Sequence, residues 1–183
     1  KAIDAVFNGN FHLEKRFMIK GKVTKEGKTV YEANALNDIV VARGSFVRAT
    51  STAIYIDENP MTNLYGDGVI VTTPTGSTGY NLSAGGPIMK PDNRSIIVTP
   101  VAPHLIQGIS MVLEEHDTIQ VTMPEREPKL HICIDGTFDY SFTNKEALHV
   151  SSNPVYCLFV RFKDQCFFGT LFKKLASRRD ELL

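Results

Sequence analysis

The sequence predicts a mainly β protein: a β-sandwich of about ten to twelve strands with one or two short helices and a C-terminal amphipathic helix. Two observations carry this. Short runs of β-branched and aromatic residues recur about every ten residues between clusters of turn formers, the rhythm of a sandwich rather than of alternating βα units. Only the C-terminal segment FFGTLFKKLASRRDELL repeats its apolar residues at helical spacing, at Phe168, Leu171, Phe172 and Leu175.

Taken in order, KAIDAVFNGN reads as the tail of a helix whose beginning lies upstream, without the apolar core of a signal peptide. RFMIKGKV and TVYEANALNDIVVAR then give two or three strands, with Glu26-Gly27 at a hairpin tip. TAIYIDENP ends in a polar turn around Glu58 to Pro60, and NLYGDGVIVTT is expected to pair back on it. SIIVTPVA, TIQVTM, LHICIDG, TFDYSF, ALHV and VYCLFVRF complete the strands. YNLSAGGPI has room for one or two helical turns, and PHLIQGIS for a short helix or an irregular connection. The basic residues around Lys173 and Arg178 read as a solvated face of the last helix. The expected organisation is the end of a linking helix at 1–12, the sandwich at 13–165 and the final helix at 166–183.

Composition narrows the function classes. With 183 residues, 43% of them hydrophobic, the chain can bury an ordinary core. Its formal charge is zero, so no global field draws in nucleic acid or an anionic membrane, and neither is expected as a partner. Apolar runs such as VYCLFV are far shorter than the roughly 20 residues of a spanning helix. Cys133, Cys157 and Cys166 lack CxxC spacing, and the five histidines lack paired-ligand spacing. A reducing, cytoplasmic setting is expected, with the cysteines as small core residues and no metal held by the protein's own motifs.

The chemistry-bearing segment is TPTGSTGYNLSAGG, from Thr73 to Gly86. It lacks the lysine of a Walker loop and the glycine spacing of a Rossmann loop. What remains is a strand leading into a turn with hydroxyls at Thr75, Ser77, Thr78 and Ser83, an aromatic face at Tyr80 and a short helix N-terminus. Such a place suits a ribose, an adenine or an anion, and equally suits a capped turn. Gly66-Asp67-Gly68 and Asp135-Gly136 read first as turns, the second as a hairpin signal. Asn37-Asp38 stands where an apolar strand begins; its amide can read a base edge and its carboxylate can accept from a ribose diol.

In order, LNDIVVARG, YGDGVIVTTPTGSTGYNLSAGGPI, IIVTPVAPH and IDG strongly resemble the C-terminal domain of NAD kinases. The resemblance covers roughly residues 30 to 160. It implies a β-sandwich carrying much of an NAD site, and it places Asn37, Asp38, Asp67, Thr75, Thr78, Gly79, Tyr80, Ser83, Ala102 and Asp135 at that site. It implies phosphorylation of the adenosine ribose 2′-hydroxyl of NAD, with ATP or polyphosphate as donor and Mg²⁺ or another divalent ion beside ATP. Family members form homodimers or homotetramers, so a homo-oligomer is expected. Two positions depart from the family pattern: Asp38 stands where Glu is usual, and Gly79 where Ala is frequent. The family's GGDG loop, whose aspartate serves as general base in a preceding α/β domain, does not occur here. Little or no kinase activity is therefore expected of this chain alone. The alternatives are a non-catalytic dinucleotide-binding or assembly module and, further off, a lipid kinase of the diacylglycerol type.

Overall fold

The computed structural model describes residues 2–44, 48–104, 108–125, 129–162 and 167–180. The chain divides into two compact units, one of residues 16–157 and one of residues 1–15 with 158–183.

The larger unit is an antiparallel sandwich. Its first sheet contains β2 (Ile19–Lys25), β3 (Lys28–Ala35), β5 (Thr50–Ile56), β6 (Asn59–Gly66), β10 (Ile119–Thr122) and β13 (Glu146–Ser152), in the order β3-β2-β13-β10-β5-β6. Its second contains β4 (Asp38–Arg43), β7 (Gly68–Thr72), β8 (Ser95–Val101), β9 (Met111–Glu114), β11 (Leu130–Ile134) and β12 (Thr137–Phe142), in the order β12-β11-β4-β7-β8-β9. Alternation along each strand sends one set of side chains into the shared core. Ile19, Val23, Ile54, Ile119, Val121 and Leu148 of the first sheet meet Ile39, Val41, Val69, Val71, Ile96 and Ile132 of the second. Each is at most 1% exposed, and burying such a side chain is worth about 1.5–3 kcal/mol.

Two-residue turns set the hairpin registers. Glu26-Gly27, Asp57-Glu58 and Asp135-Gly136 all hold positive φ at both positions, the geometry that matches strand twist. The Gly66-Asp67-Gly68 stretch does something other than turn a hairpin. It carries the chain from β6, at the edge of the first sheet, to β7, in the middle of the second. The crossing is tight: a Cβ at Gly66 would lie 2.8 Å from the Val101 carbonyl oxygen, and one at Gly68 2.2 Å from that of Val41.

The smaller unit holds α1 (Ala2–Phe7), α3 (Phe167–Asp180) and all but the end residues Arg16 and Cys157, which belong to the larger unit, of a two-stranded sheet of β1 (His12–Arg16) with β14 (Cys157–Arg161). Of the expected apolar face of α3, Leu171 is buried at 8% exposure while Phe168 and Phe172 stand exposed. The sandwich and the C-terminal helix agree with expectation. The described residues hold fourteen strands rather than ten to twelve, because NLYGDGVIVTT breaks at Asp67 and because HLEKR and MVLE carry too little β-branched character to announce themselves. Residues 105–107 of PHLIQGIS, Cys166 and the side chain of Arg178 lie outside the described set.

Candidate functional site

The second sheet has another face, turned away from the core. Alternation places Asp38, Val40 and Ala42 of β4, Ile70 and Thr72 of β7, Thr99 of β8, and His131 and Cys133 of β11 on it. The Gly-rich segment covers part of this face. It leaves β7 at Thr73, forms a 3₁₀ turn at Gly76–Thr78 and then a four-residue helix, α2 (Tyr80–Ser83).

Its underside is stitched to the sheet. The Thr72 and Thr73 hydroxyls donate to the Asn37 and Leu36 carbonyls at 2.8 and 2.6 Å, and the Thr73 N–H donates to Asn37 O at 2.9 Å. Gly76 lies so close that a Cβ there would fall 2.3 Å from both Asn37 O and Thr72 Oγ1. The Ser77 hydroxyl donates to Pro74 O at 2.7 Å and accepts from the Met89 N–H at 3.0 Å. Asn81 Nδ2 donates to the Ser77 and Pro87 carbonyls at 3.1 and 3.0 Å, and its Oδ1 accepts from Thr99 Oγ1 at 2.6 Å. Ser77 and Asn81 are fully buried. The Ser77 hydroxyl, which the sequence puts among the groups for a ligand, is thus engaged inside the fold. The expected helix N-terminus is a single turn capped by no side chain, too short to gather a helix dipole.

The upper side presents what the underside does not use. Thr75 and Thr78 are half-buried, while Gly79, Tyr80 and Ser83 are exposed. Gly79 leaves room, since a Cβ there would meet only Gly76 O, at 3.3 Å, but its φ of −97° and ψ of −127° are unfavourable for the alanine frequent in the resembled family.

Three carboxylates stand around this segment. Asp135 accepts from the Leu36, Asn37 and Asp38 N–H groups at 2.9, 2.7 and 3.0 Å, and its own N–H returns a bond to Asp38 O at 3.0 Å. The hairpin aspartate therefore fastens the chain where Asn37 and Asp38 enter β4. Asp67 is paired with Arg43, Nε to Oδ1 at 2.6 Å and Nη2 to Oδ2 at 3.1 Å. That ion pair holds the Asp67 carboxyl below its ordinary range. Asp38 differs from both. It is 7% exposed, and no hydrogen bond from the described residues reaches its carboxylate. Burial, with the neighbouring Asp135 charge, raises its pKa from 3.8 to about 6.

Tyr80 ties these groups together. Its hydroxyl is shifted upward by burial and then by the negative charge of Asp67, Asp38 and Cys133, so those groups lie within electrostatic reach of its hydroxyl, which stays a neutral donor near pH 7. Ala102 lies past the end of β8 beside the crossing, with φ at 44°, a strained conformation for a residue with a Cβ. The His104 N–H donates to Tyr65 O at 2.9 Å across the same corner. Asp38, Asp67 and Tyr80 thus share one neighbourhood, Asn37 and Asp135 adjoin Asp38, Thr75 lies in the covering segment with its hydroxyl at Arg16 Nη1, and Ala102 flanks the corner that carries Asp67. Sequence reasoning missed Arg43 and Asn81, whose partners stand 24 and 18 residues away with no local signal. Chemically the site offers acceptors, hydroxyls and an aromatic face, suited to a polar ligand rich in donors. Among the described residues no three His, Cys, Asp or Glu side chains gather as metal ligands, so these side chains by themselves do not fit a divalent ion.

Residues 36–162 match the ATP-NAD kinase C-terminal domain. An NAD kinase of Caldanaerobacter subterraneus subsp. tengcongensis is 36% identical over 177 residues, covering 97% of this chain and 62% of that protein. One from Ruminiclostridium cellulolyticum is 34% identical over 182 residues, covering 99% of this chain and 64% of that protein. The chain therefore spans somewhat under two thirds of the length of these relatives. Among solved structures, yeast NADH kinase complexed with NADH is similar with a TM-score of 0.78 at 26% identity, over 86% of this chain and 47% of that one. An NAD kinase from Archaeoglobus fulgidus in complex with ATP gives 0.74 at 25% identity, over 96% of this chain and 64% of that one. With a family match across most of the sandwich, and a site built from the residues of the matching segments, the chain belongs to the ATP-NAD kinase C-terminal domain family.

Proposed function

We propose that this chain is the acceptor-binding part of an NAD kinase, holding NAD while a terminal phosphoryl group passes from ATP or polyphosphate to the adenosine ribose 2′-hydroxyl. The observation that carries the proposal is Asp38: a buried carboxylate with no hydrogen bond from the described residues, grouped with Asp67 and Tyr80 beside the Gly-rich segment. Burial and the Asp135 charge make this carboxylate costly to ionise, and hydrogen bonds from a ligand would offset that cost. Ribose hydroxyls supply the missing donors. Asn37 offers an amide beside it, Thr75, Thr78 and Ser83 offer hydroxyls, Gly79 a backbone approach, Tyr80 a ring for stacking, and Ala102 a small wall. Asp135 acts through the main chain it holds, and Asp67 through a carboxylate fixed by Arg43.

The NADH in the yeast structure and the ATP in the archaeal one support a nucleotide at this fold. A divalent ion such as Mg²⁺ would come with ATP and neutralise its phosphates, and the GGDG-containing domain of the resembled family contributes to its site. In the resembled family the general base and part of the hold on the donor come from a GGDG-containing domain, and no GGDG occurs in this sequence. Phosphoryl transfer rests on positioning both partners and stabilising charge, so this chain alone is expected to form little or no NADP⁺. The working enzyme is a homodimer or homotetramer in the cytoplasm, with an α/β domain ahead of the sandwich.

Two measurements test this. In the full-length protein, calorimetry of NAD binding is expected to show roughly tenfold or greater weakening for Asp67→Ala and for Tyr80→Ala; unchanged affinity in both places the site elsewhere. For the isolated chain, NADP⁺ formation at ordinary kinase rates contradicts the division of labour.

A further inference from the structure

Thr75 begins the 3₁₀ turn of the Gly-rich segment, with φ −64° and ψ −44°, yet its side chain makes no capping hydrogen bond to that turn. Its hydroxyl oxygen instead accepts from Arg16 Nη1 at 3.3 Å. Arg16 is 59 residues away in sequence, at the end of β1, and is only 5% exposed. A guanidinium is always charged and donates only, so the role of the hydroxyl is settled: its oxygen receives from Arg16, and its proton is left to be given elsewhere. Thr75 is half-buried, whereas Thr73 and Ser77 of the same segment are fully buried.

We infer that Arg16 is a positioning residue for the nucleotide site, holding the Thr75 hydroxyl as a donor toward a ligand acceptor such as a ring nitrogen or a phosphoryl oxygen. A hydroxyl that receives a charge-assisted bond is the stronger donor, because each bond in such a chain polarises the next. A lysine delivers the charge as a compact point on a flexible stem and lacks the planar fork that fixes the direction of Nη1. The inference rests on the proposed NAD site.

The test is a double-mutant cycle in the full-length protein, with NAD affinity read by calorimetry and KM and kcat read separately. Arg16→Met and Thr75→Val are each expected to weaken NAD binding about tenfold, the range of a lost hydrogen bond to a charged group. The double variant is expected to be little worse than either single one, because one change removes the donor and the other only its fixed orientation. KM for NAD rises while KM for the phosphoryl donor stays, and Thr75→Ser restores most of the affinity. Additive losses, or Arg16→Met with wild-type affinity beside a weakened Thr75→Val, overturn the coupling. If Arg16→Met does not fold, Arg16→Lys takes its place, with an intermediate loss that vanishes in the Thr75→Val background; a loss that persists there overturns it. Failure of the proposed site is a separate outcome, since Asp67→Ala, Tyr80→Ala and Thr75→Val would then all bind NAD as the wild type does.

Discussion

The two sides of the Gly-rich segment are built from the same residue types and put them to opposite uses. On the underside Thr72, Thr73, Ser77 and Asn81 direct their polar atoms inward, into bonds of 2.6 to 3.2 Å with the sheet and with the segment's own carbonyls. On the upper side Thr78, Tyr80 and Ser83 reach the surface, and the nearby Asp38 carboxylate takes no hydrogen bond from the described residues. The same division runs through the carboxylates. Asp135 and Asp67 are occupied by three main-chain amides and one arginine, whereas Asp38 is not. In one short motif, then, half of the polar groups make the surface rigid and half are held in position for something else. Changes below should damage folding and binding together; changes above should damage binding alone.

The largest effect is expected where the underside is closest. Gly76→Ala drives a methyl group against the Asn37 carbonyl and Thr72 Oγ1, and neither can retreat without breaking the bond between them. Destabilisation of about 3 kcal/mol by urea titration, with loss of NAD binding, is expected. Gly79→Ala, three residues on, meets a single atom at 3.3 Å but sits at φ −97° and ψ −127°, outside the regions a residue with a Cβ favours, so a loss of about 1 kcal/mol is expected. Equal effects at the two glycines would erase the distinction between the sides.

Asp135→Ala comes next. It leaves three amides without their acceptor, but on an exposed hairpin where water replaces part of the loss. About 2 kcal/mol of destabilisation is expected, together with weaker NAD binding, because Asn37 and Asp38 lose their fixed entry into β4.

These distinctions were only partly legible in the sequence. Alternating apolar runs and the turn pairs Glu26-Gly27 and Asp135-Gly136 declare the sandwich, because strand period and positive φ are local properties. The crossing at Asp67 was hidden inside NLYGDGVIVTT, since nothing local says that two halves of one apolar run join different sheets. In TPTGSTGYNLSAGG the chemistry was legible but its direction was not. Ser77 and Thr78 are neighbours of similar chemistry, and only the register over Thr99 and Met89 decides which is buried. Asp135 reads as a turn residue or a ligand group; its three amides come from the bend between β3 and β4 and the first residue of β4, about a hundred residues earlier, beyond any local pattern.

A stability effect of opposite sign is expected at Asp38. Its carboxyl titrates near 6 when folded and near 3.8 when unfolded, so the folded chain binds more protons between those values. This group therefore lowers stability as pH rises from about 4 to about 6, and the penalty is complete above that. At about 1.4 kcal/mol per pH unit the penalty is at most about 3 kcal/mol. Asp38→Asn removes it but leaves amide N–H groups to satisfy, for a net gain of about 1 kcal/mol at pH 7 and none at pH 3.5. A loss of stability at pH 7 would mean that the carboxylate is already paired. NAD binding to the wild type is expected to strengthen as pH rises through 6, as the acceptor becomes charged.

The most direct measurement is calorimetric titration of NAD into the full-length protein and its Asp38→Asn variant at pH 7.5, with thermal unfolding of both in the absence of ligand. The predicted result is NAD affinity reduced about tenfold or more in a variant that melts at the same or a higher temperature. Wild-type affinity in that variant would contradict the assignment of Asp38 as the carboxylate kept for the nucleotide.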